Sequence, residues 1–158
     1  FANTFGLPIL ISHSSNNYGP GQNEEKLIPS IIRKAIDKEK LPVYGKGENI
    51  RDWLWVFDHV AAIDLIFHNA EPGKKYNISS GERMKNIELV KLICSIIDDK
   101  LKRNKGETEK LIEFVSDRPG HDLRYAVDSD KIRNELGWEA KTGIRKGLEK
   151  TIDHYLIS

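Results

Sequence analysis

Several side chains in this sequence have the chemistry to hold an anionic ligand that carries an aromatic ring. Arg51 and Arg118 each present a planar guanidinium that can grip a diphosphate through two parallel N–H bonds, and Lys26 adds a point charge. Tyr44, close to Pro42, offers a flat apolar wall for a base, and Asn86 offers amide donors where a helical pattern starts. Asn16-Asn17 and the run Asp117-Arg118-Pro119-Gly120-His121-Asp122 are the remaining polar clusters. A stacking surface, cations and neutral hydrogen bonds together are what a nucleotide diphosphate requires. Spacing alone leaves plainer readings open. An isolated arginine is as a rule solvated, Arg-Pro-Gly-His also makes a corner, and Asn-Asn before Tyr-Gly-Pro also makes a turn. The pair Trp53 and Trp55 reads as core rather than as a stacking platform.

Other chemistries lack their residues. His13, His59, His68, His121 and His154 fall at no metal-binding spacing, and Cys94 is the only cysteine, so no metal site is expected. Cys94 lies in an apolar helical stretch and reads as an inert buried thiol. There is no G-x-S-x-G elbow, and Gly45-Lys46-Gly47 lacks the rest of a phosphate loop. Lys plus Arg number 25 against 24 Asp plus Glu, without the basic excess of a nucleic-acid partner. No apolar run reaches the roughly 20 residues of a membrane helix. A single cysteine and no secretory pattern fit a cytoplasmic protein.

The elements that must position these residues alternate between strand and helix. An apolar run over residues 7–12 predicts a buried parallel strand, followed by a turn-rich loop over 14–21. Helical spacing covers 24–38; strands are expected over 41–44, 51–57, 76–79 and 112–115. Asp58, Asn86, Asp128 and Thr142 are the expected caps of four further helices, and residues 98–110 read as an exposed connection. The class is therefore α/β, a fold that binds ligands in the loops after its strands. Residues 1–6 look like the last turn of a helix closed by glycine, which predicts a piece of a longer protein.

Six runs carry a resemblance: Ser15-Asn16-Asn17-Tyr18-Gly19-Pro20, Glu25-Lys26-Leu27-Ile28-Pro29, Leu41-Pro42-Val43-Tyr44-Gly45-Lys46-Gly47, Ile50-Arg51-Asp52-Trp53-Leu54-Trp55-Val56, Tyr76-Asn77-Ile78, and Asp117-Arg118-Pro119-Gly120-His121-Asp122-Leu123-Arg124-Tyr125-Ala126. Together with Glu135-Leu136-Gly137-Trp138, they resemble the extended short-chain dehydrogenases that act on nucleotide sugars, most closely the dTDP-glucose 4,6-dehydratases. The likeness runs through essentially the whole chain in order. It implies the C-terminal, substrate-binding part of such an enzyme, with strands left over from the parent Rossmann sheet. Residues 1–20 would be the remnant of the NAD-binding Rossmann domain, and residues 21–158 the nucleotide-sugar-binding domain.

By position, the resemblance implies substrate contacts at Asn16, Lys26, Leu27, Pro42, Tyr44, Arg51, Asn86, Asp117, Arg118 and His121. Asn17 matches a position that touches NAD. The family's reaction passes a hydride from the glucose unit to NAD, eliminates water across C5 and C6, and returns the hydride at C6. Its Tyr-x-x-x-Lys pair, its Thr, its Asp-Glu pair and its glycine-rich loop have no counterpart here. No catalytic residue is therefore assigned, and this segment alone is expected to be inactive. The resemblance further implies a homodimeric parent that binds dTDP-glucose or a similar nucleotide sugar. Two other readings stay open: a non-catalytic nucleotide-sugar-binding domain, and part of a related epimerase or decarboxylase.

Overall fold

Short runs of branched and aromatic residues between turns make the strands here, and apolar stripes make the helices. The computed structural model describes residues 2–117, 120, 122–125 and 127–157. The chain opens on α1 (Ala2–Phe5), which closes on Gly6 at φ +63°, the left-handed conformation that ends helices. Then come β1 (Ile11–Ser14), β2 (Asn16–Tyr18), α2 (Leu27–Ile36), β3 (Leu41–Tyr44), β4 (Ile50–Trp55) and α3 (Val56–Asn69). The remainder is β5 (Lys75–Ile78), β6 (Arg83–Lys85), α4 (Asn86–Lys100), β7 (Ile112–Val115), β8 (Arg124–Tyr125), α5 (Asp130–Leu136) and α6 (Ile144–Ile157). The class is α/β, as the alternation predicts.

β4 organises the molecule. It runs parallel to β2, with Asn16 opposite Trp53 and Tyr18 opposite Trp55, antiparallel to β6, and parallel to β8. Its side chains alternate between two cores. Trp53 and Trp55 join Tyr18 and the apolar faces of α2, α4 and α6. Leu54, on the other face, packs with Ala62, Ile66, Tyr76, Ile78 and Trp138. β1 pairs in parallel with β5, and β3 with β7. At Ser15 the chain passes from one sheet to the next, its N–H held by the Ile78 carbonyl at 2.9 Å.

Several boundaries differ from the sequence expectation, each for a physical reason. The first strand starts at Ile11 rather than at residue 7; it is parallel, paired with β5, but largely exposed rather than buried. The loop expected over 14–21 contains β2, whose polar residues hide its strand character. The helix expected over 24–38 is confined to Leu27–Ile36. The strand expected over 51–57 stops at Trp55, because Val56 and Phe57 already belong to α3. Asp58 is thus inside the first turn rather than the cap, and its Oδ2 accepts the N–H groups of Lys141 (3.1 Å) and Thr142 (2.8 Å). Thr142 is used up in that contact, and the start of α6 is held instead by Glu82, whose Oε2 accepts the Ile144 N–H at 2.6 Å. Asn86 is the first residue of α4, not its cap; Lys85 precedes it, its N–H bound to Glu88 Oε2 at 3.2 Å. Asp128 does serve α5, accepting the Asp130 N–H at 2.7 Å.

Residues 98–110 are a folded knot rather than an exposed connection. Asp98 is buried and accepts the N–H groups of Gly106 (2.8 Å) and Thr108 (3.0 Å), in front of a short 3-10 turn, Thr108–Leu111. Arg103 donates to the carbonyls of Ala35 (2.7 Å) and Ile36 (2.9 Å), the open C-terminal end of α2, and to Thr108 Oγ1 (3.0 Å). A cation placed there suits the negative end of the helix and adds a strong donor to its last carbonyls. Arg103→Ala is expected to lower stability by about 1–2 kcal/mol, read from urea unfolding; an unchanged midpoint would refute that role. Cys94 is buried, and burial pushes its thiol up to about 12, so it is protonated and unreactive at neutral pH. On α3, Phe57, Val60, Ile63 and Phe67 stand exposed at helical spacing, forming one apolar stripe.

Candidate functional site

The site is built where two helices start beside the central strand. Leu27 opens α2 and Asn86 opens α4, and both residues line one cleft. The cleft encloses about 360 Å³. Asn16 and Asn17 of β2, Lys26, Leu27, Arg51 and Asn86 all line it. Six of the expected contact residues, drawn from four separate stretches of chain, are thereby brought together. Gln22, Glu25, Ile28 and Trp53 line it as well and escape the sequence reading.

Five buried side-chain atoms lack a hydrogen-bond partner among the described residues: Ser15 Oγ, Asn16 Oδ1, Asn17 Oδ1, Asn86 Oδ1 and Trp53 Nε1. Four of them belong to residues of this cleft. Folded proteins keep such orphans where something else supplies the partner. Asn17 is the most definite acceptor. Its Nδ2 donates to Ser14 Oγ (3.0 Å) and the Ser15 carbonyl (3.2 Å), which fixes the amide and leaves Oδ1 to receive a donor. Gln22 Nε2 donates to the Asn17 carbonyl at 2.8 Å and ties the following loop to the site.

Arg51 stands on β4 two residues from Trp53, on the same face. Its Nη2 donates to the Asp122 carbonyl (2.7 Å) and Nη1 to that of Ile50 (2.9 Å). Asn49 Nδ2 reaches the same Asp122 carbonyl at 3.1 Å, so the loop after β7 is docked onto the start of β4. Arg118 and His121, two expected contacts in that loop, lie outside the described residues.

Pro42, Tyr44 and Asp117 are not in the cleft itself. They gather at the paired ends of β3 and β7, where Tyr44 stands opposite Val115 and is half exposed. The Gly45 N–H closes that end by donating to the Val115 carbonyl (2.8 Å). The turn after β3 then meets α4: Ile87 N–H donates to the Gly47 carbonyl and Asn86 N–H to that of Asn49, both at 3.0 Å. Gly47 has φ +69°, and a Cβ there would fall 2.8 Å from both Ile87 Cβ and Val43 Cγ1, so only glycine lets the turn sit this close. Asn86 therefore ties the cleft, which it lines, to the turn that follows Tyr44. Among the described residues there is no group of histidine, cysteine and carboxylate side chains that could hold a metal ion, and no helix long and apolar enough to cross a membrane.

The sequence pattern of the family described as GDP-mannose 4,6 dehydratase matches residues 1–151. The chain belongs to that family. Within it, the chain is 50% identical over 153 residues to a probable dTDP-glucose 4,6-dehydratase of Sinorhizobium fredii, covering 97% of this chain and 43% of that protein. The crystal structure of dTDP-glucose 4,6-dehydratase from Bacillus anthracis in complex with NAD superposes with a TM-score of 0.87 at 41% identity, over 99% of this chain and 47% of that one. The dehydratase DesIV of Streptomyces venezuelae, with NAD and TYD bound, gives a TM-score of 0.88 at 36% identity, over 99% and 46%. The fold is that of the C-terminal part of the extended short-chain dehydrogenases. The chain spans about half the length of the relatives it matches.

Proposed function

We propose that this segment is the substrate-binding part of a dTDP-glucose 4,6-dehydratase that takes dTDP-glucose, with NAD as the cofactor of the complete enzyme. The observation that carries the reading is the cleft. The starts of two helices, Lys26 and Arg51 surround a space lined by asparagine and tryptophan residues that carry buried, unpaired polar atoms. The start of α2 and the two cations suit a diphosphate, the asparagines suit hydroxyl and carbonyl groups, and the exposed Tyr44 suits a base. Arg118 and His121 are assigned to the same ligand on the family resemblance.

NAD supplies hydride acceptance and return in such an enzyme. The residue here that fits it is Asn17, whose fixed Oδ1 accepts a hydrogen bond from an amide N–H such as a carboxamide provides. The chain's other residues bind and orient the sugar nucleotide. We assign residues 1–20 to the cofactor-binding domain and residues 21–158 to the substrate domain. The exposed stripe on α3, with Phe5 and Leu7 exposed as well, is in keeping with a further layer of protein in the complete enzyme, which we take to be homodimeric and cytoplasmic.

In the complete protein, Arg51→Ala is expected to weaken dTDP binding by about 1.5–2 kcal/mol, measured by titration calorimetry. A dissociation constant equal to that of the unsubstituted protein would remove Arg51 from the site. Binding of dTDP-glucose ahead of UDP-glucose separates this reading from that of an epimerase. The 158-residue segment alone is expected to show no turnover of dTDP-glucose with NAD, and a measurable rate would mean that the chemistry lies within it.

A further inference from the structure

Trp53 has two sides to its environment. The ring is only 6% exposed and belongs to the core with Tyr18 and Trp55, as the sequence predicts. Nε1 is buried without a hydrogen-bond partner among the described residues, and Trp53 lines the cleft together with Asn16, Arg51 and Asn86. A buried indole N–H normally finds an acceptor, and an unpaired one calls for an explanation. An asparagine amide can be turned to exchange donor for acceptor; an indole N–H is a donor only.

The framework leaves the ring little freedom. Trp53 is paired with Asn16 across β2 and β4, and its own carbonyl accepts the Ser80 hydroxyl at 2.8 Å. The preceding residue, Asp52, is fully buried on the opposite face and bonded to Ser79 and Ser80. A desolvated donor without a partner, on a strand residue that lines the cleft two positions from Arg51, is suited to an oxygen that arrives with the ligand.

We propose that the Trp53 Nε1–H donates a hydrogen bond to an oxygen of the diphosphate–hexose portion of the bound nucleotide sugar, so that Trp53 is a ligand-binding residue as well as a core residue. This rests on the nucleotide-sugar reading of the cleft. A phosphate oxygen and a hexose oxygen are both acceptors, and the two are separated by choice of ligand.

The test uses the complete protein with 15N-labelled tryptophan, the Trp53 indole signal being assigned by its loss in Trp53→Phe. On saturation with dTDP-glucose, that signal is expected to move and its exchange with solvent to slow. A shift with dTDP as well points to a phosphate oxygen; a shift with dTDP-glucose only points to the hexose. Replacing Trp53 by benzothienylalanine, which keeps the bicyclic shape and removes the N–H, is expected to weaken binding of dTDP-glucose about five- to tenfold. The proposal is overturned if calorimetry shows dTDP-glucose bound while the indole signal stays in place and the isostere binds within about twofold. If the unsubstituted protein binds neither ligand, the functional reading itself fails and takes the proposal with it.

Discussion

Asp52→Ala is expected to cost about 3–4 kcal/mol of stability, the largest loss of any substitution considered for this chain. Asp52 is fully buried on the face of β4 opposite Arg51 and Trp53. Its Oδ2 accepts the Ser79 hydroxyl at 2.7 Å, and its Oδ1 lies 3.3 Å from the Ser80 N–H and 3.2 Å from the Ser80 hydroxyl. Those serines shape the turn between β5 and β6: Ser79 Oγ accepts the Gly81 N–H and Ser80 Oγ the Glu82 N–H, both at 3.1 Å. The same turn delivers Glu82 to the start of α6. Alanine removes the acceptor from the centre of this set and strands buried donors, which costs more than a hydrogen bond contributes when made. Asp52→Asn keeps one acceptor oxygen and should lose roughly half as much. Urea unfolding measures both; a loss below about 1 kcal/mol for the alanine variant would show that water replaces the carboxyl group. Weaker dTDP binding should accompany the loss, since Arg51 and Trp53 take their positions from the same strand.

Asp52 also shows what a sequence can and cannot convey. It stands in Arg-Asp-Trp, part of a run that carries the resemblance, yet residue types alone do not separate the cleft-lining Arg51 from the turn-holding Asp52. Alternation along β4 does separate them, once the strand is placed. β3, β5 and β7 are legible because apolar and aromatic residues recur between turns, alternating with exposed ones in β5 and left largely uncovered in β7. β2 is not legible, because Asn16 and Asn17, which line the cleft, have low strand propensity. Residues 98–110 mislead for a related reason. Their polarity suggests solvent, but Asp98 and Arg103 find backbone partners in the fold, and pattern counts side chains without counting partners. The cleft itself is spread over some seventy positions between Asn16 and Asn86, so only resemblance could gather it in advance. Trp53 is half legible: its ring follows the apolar pattern, whereas the unpaired N–H exists only once its surroundings are known.

Gly147→Ala is expected to destabilise the protein by about 2–3 kcal/mol, against the sign that helix propensity gives. Gly147 lies inside α6, where alanine would ordinarily gain about 1 kcal/mol. A Cβ at this position would fall 2.1 Å from Tyr18 Oη, 2.8 Å from Cζ and 3.0 Å from Cε2. Tyr18 has nowhere to go: it is 1% exposed, its ring stands edge-on to Trp55 at 5.5 Å, and its hydroxyl donates to the Ile144 carbonyl at 3.4 Å. Either the ring or the helix must shift, and overpacking outweighs propensity. Tyr18→Phe should cost little by itself, because the hydroxyl bond is long, and it removes the nearest obstructing atom. Combining it with Gly147→Ala should therefore recover part of the loss, the ring carbon at 2.8 Å still crowding the methyl group, a coupling that a double-mutant cycle of thermal or urea unfolding measures. A stabilised Gly147→Ala protein would mean that α6 does not lie against Tyr18 as described. The contact bears on the site through sequence, since Tyr18 follows Asn16 and Asn17 on β2. A displaced Tyr18 ring is expected to disturb the two asparagines and to weaken dTDP binding, while leaving Arg51 on its own strand in place.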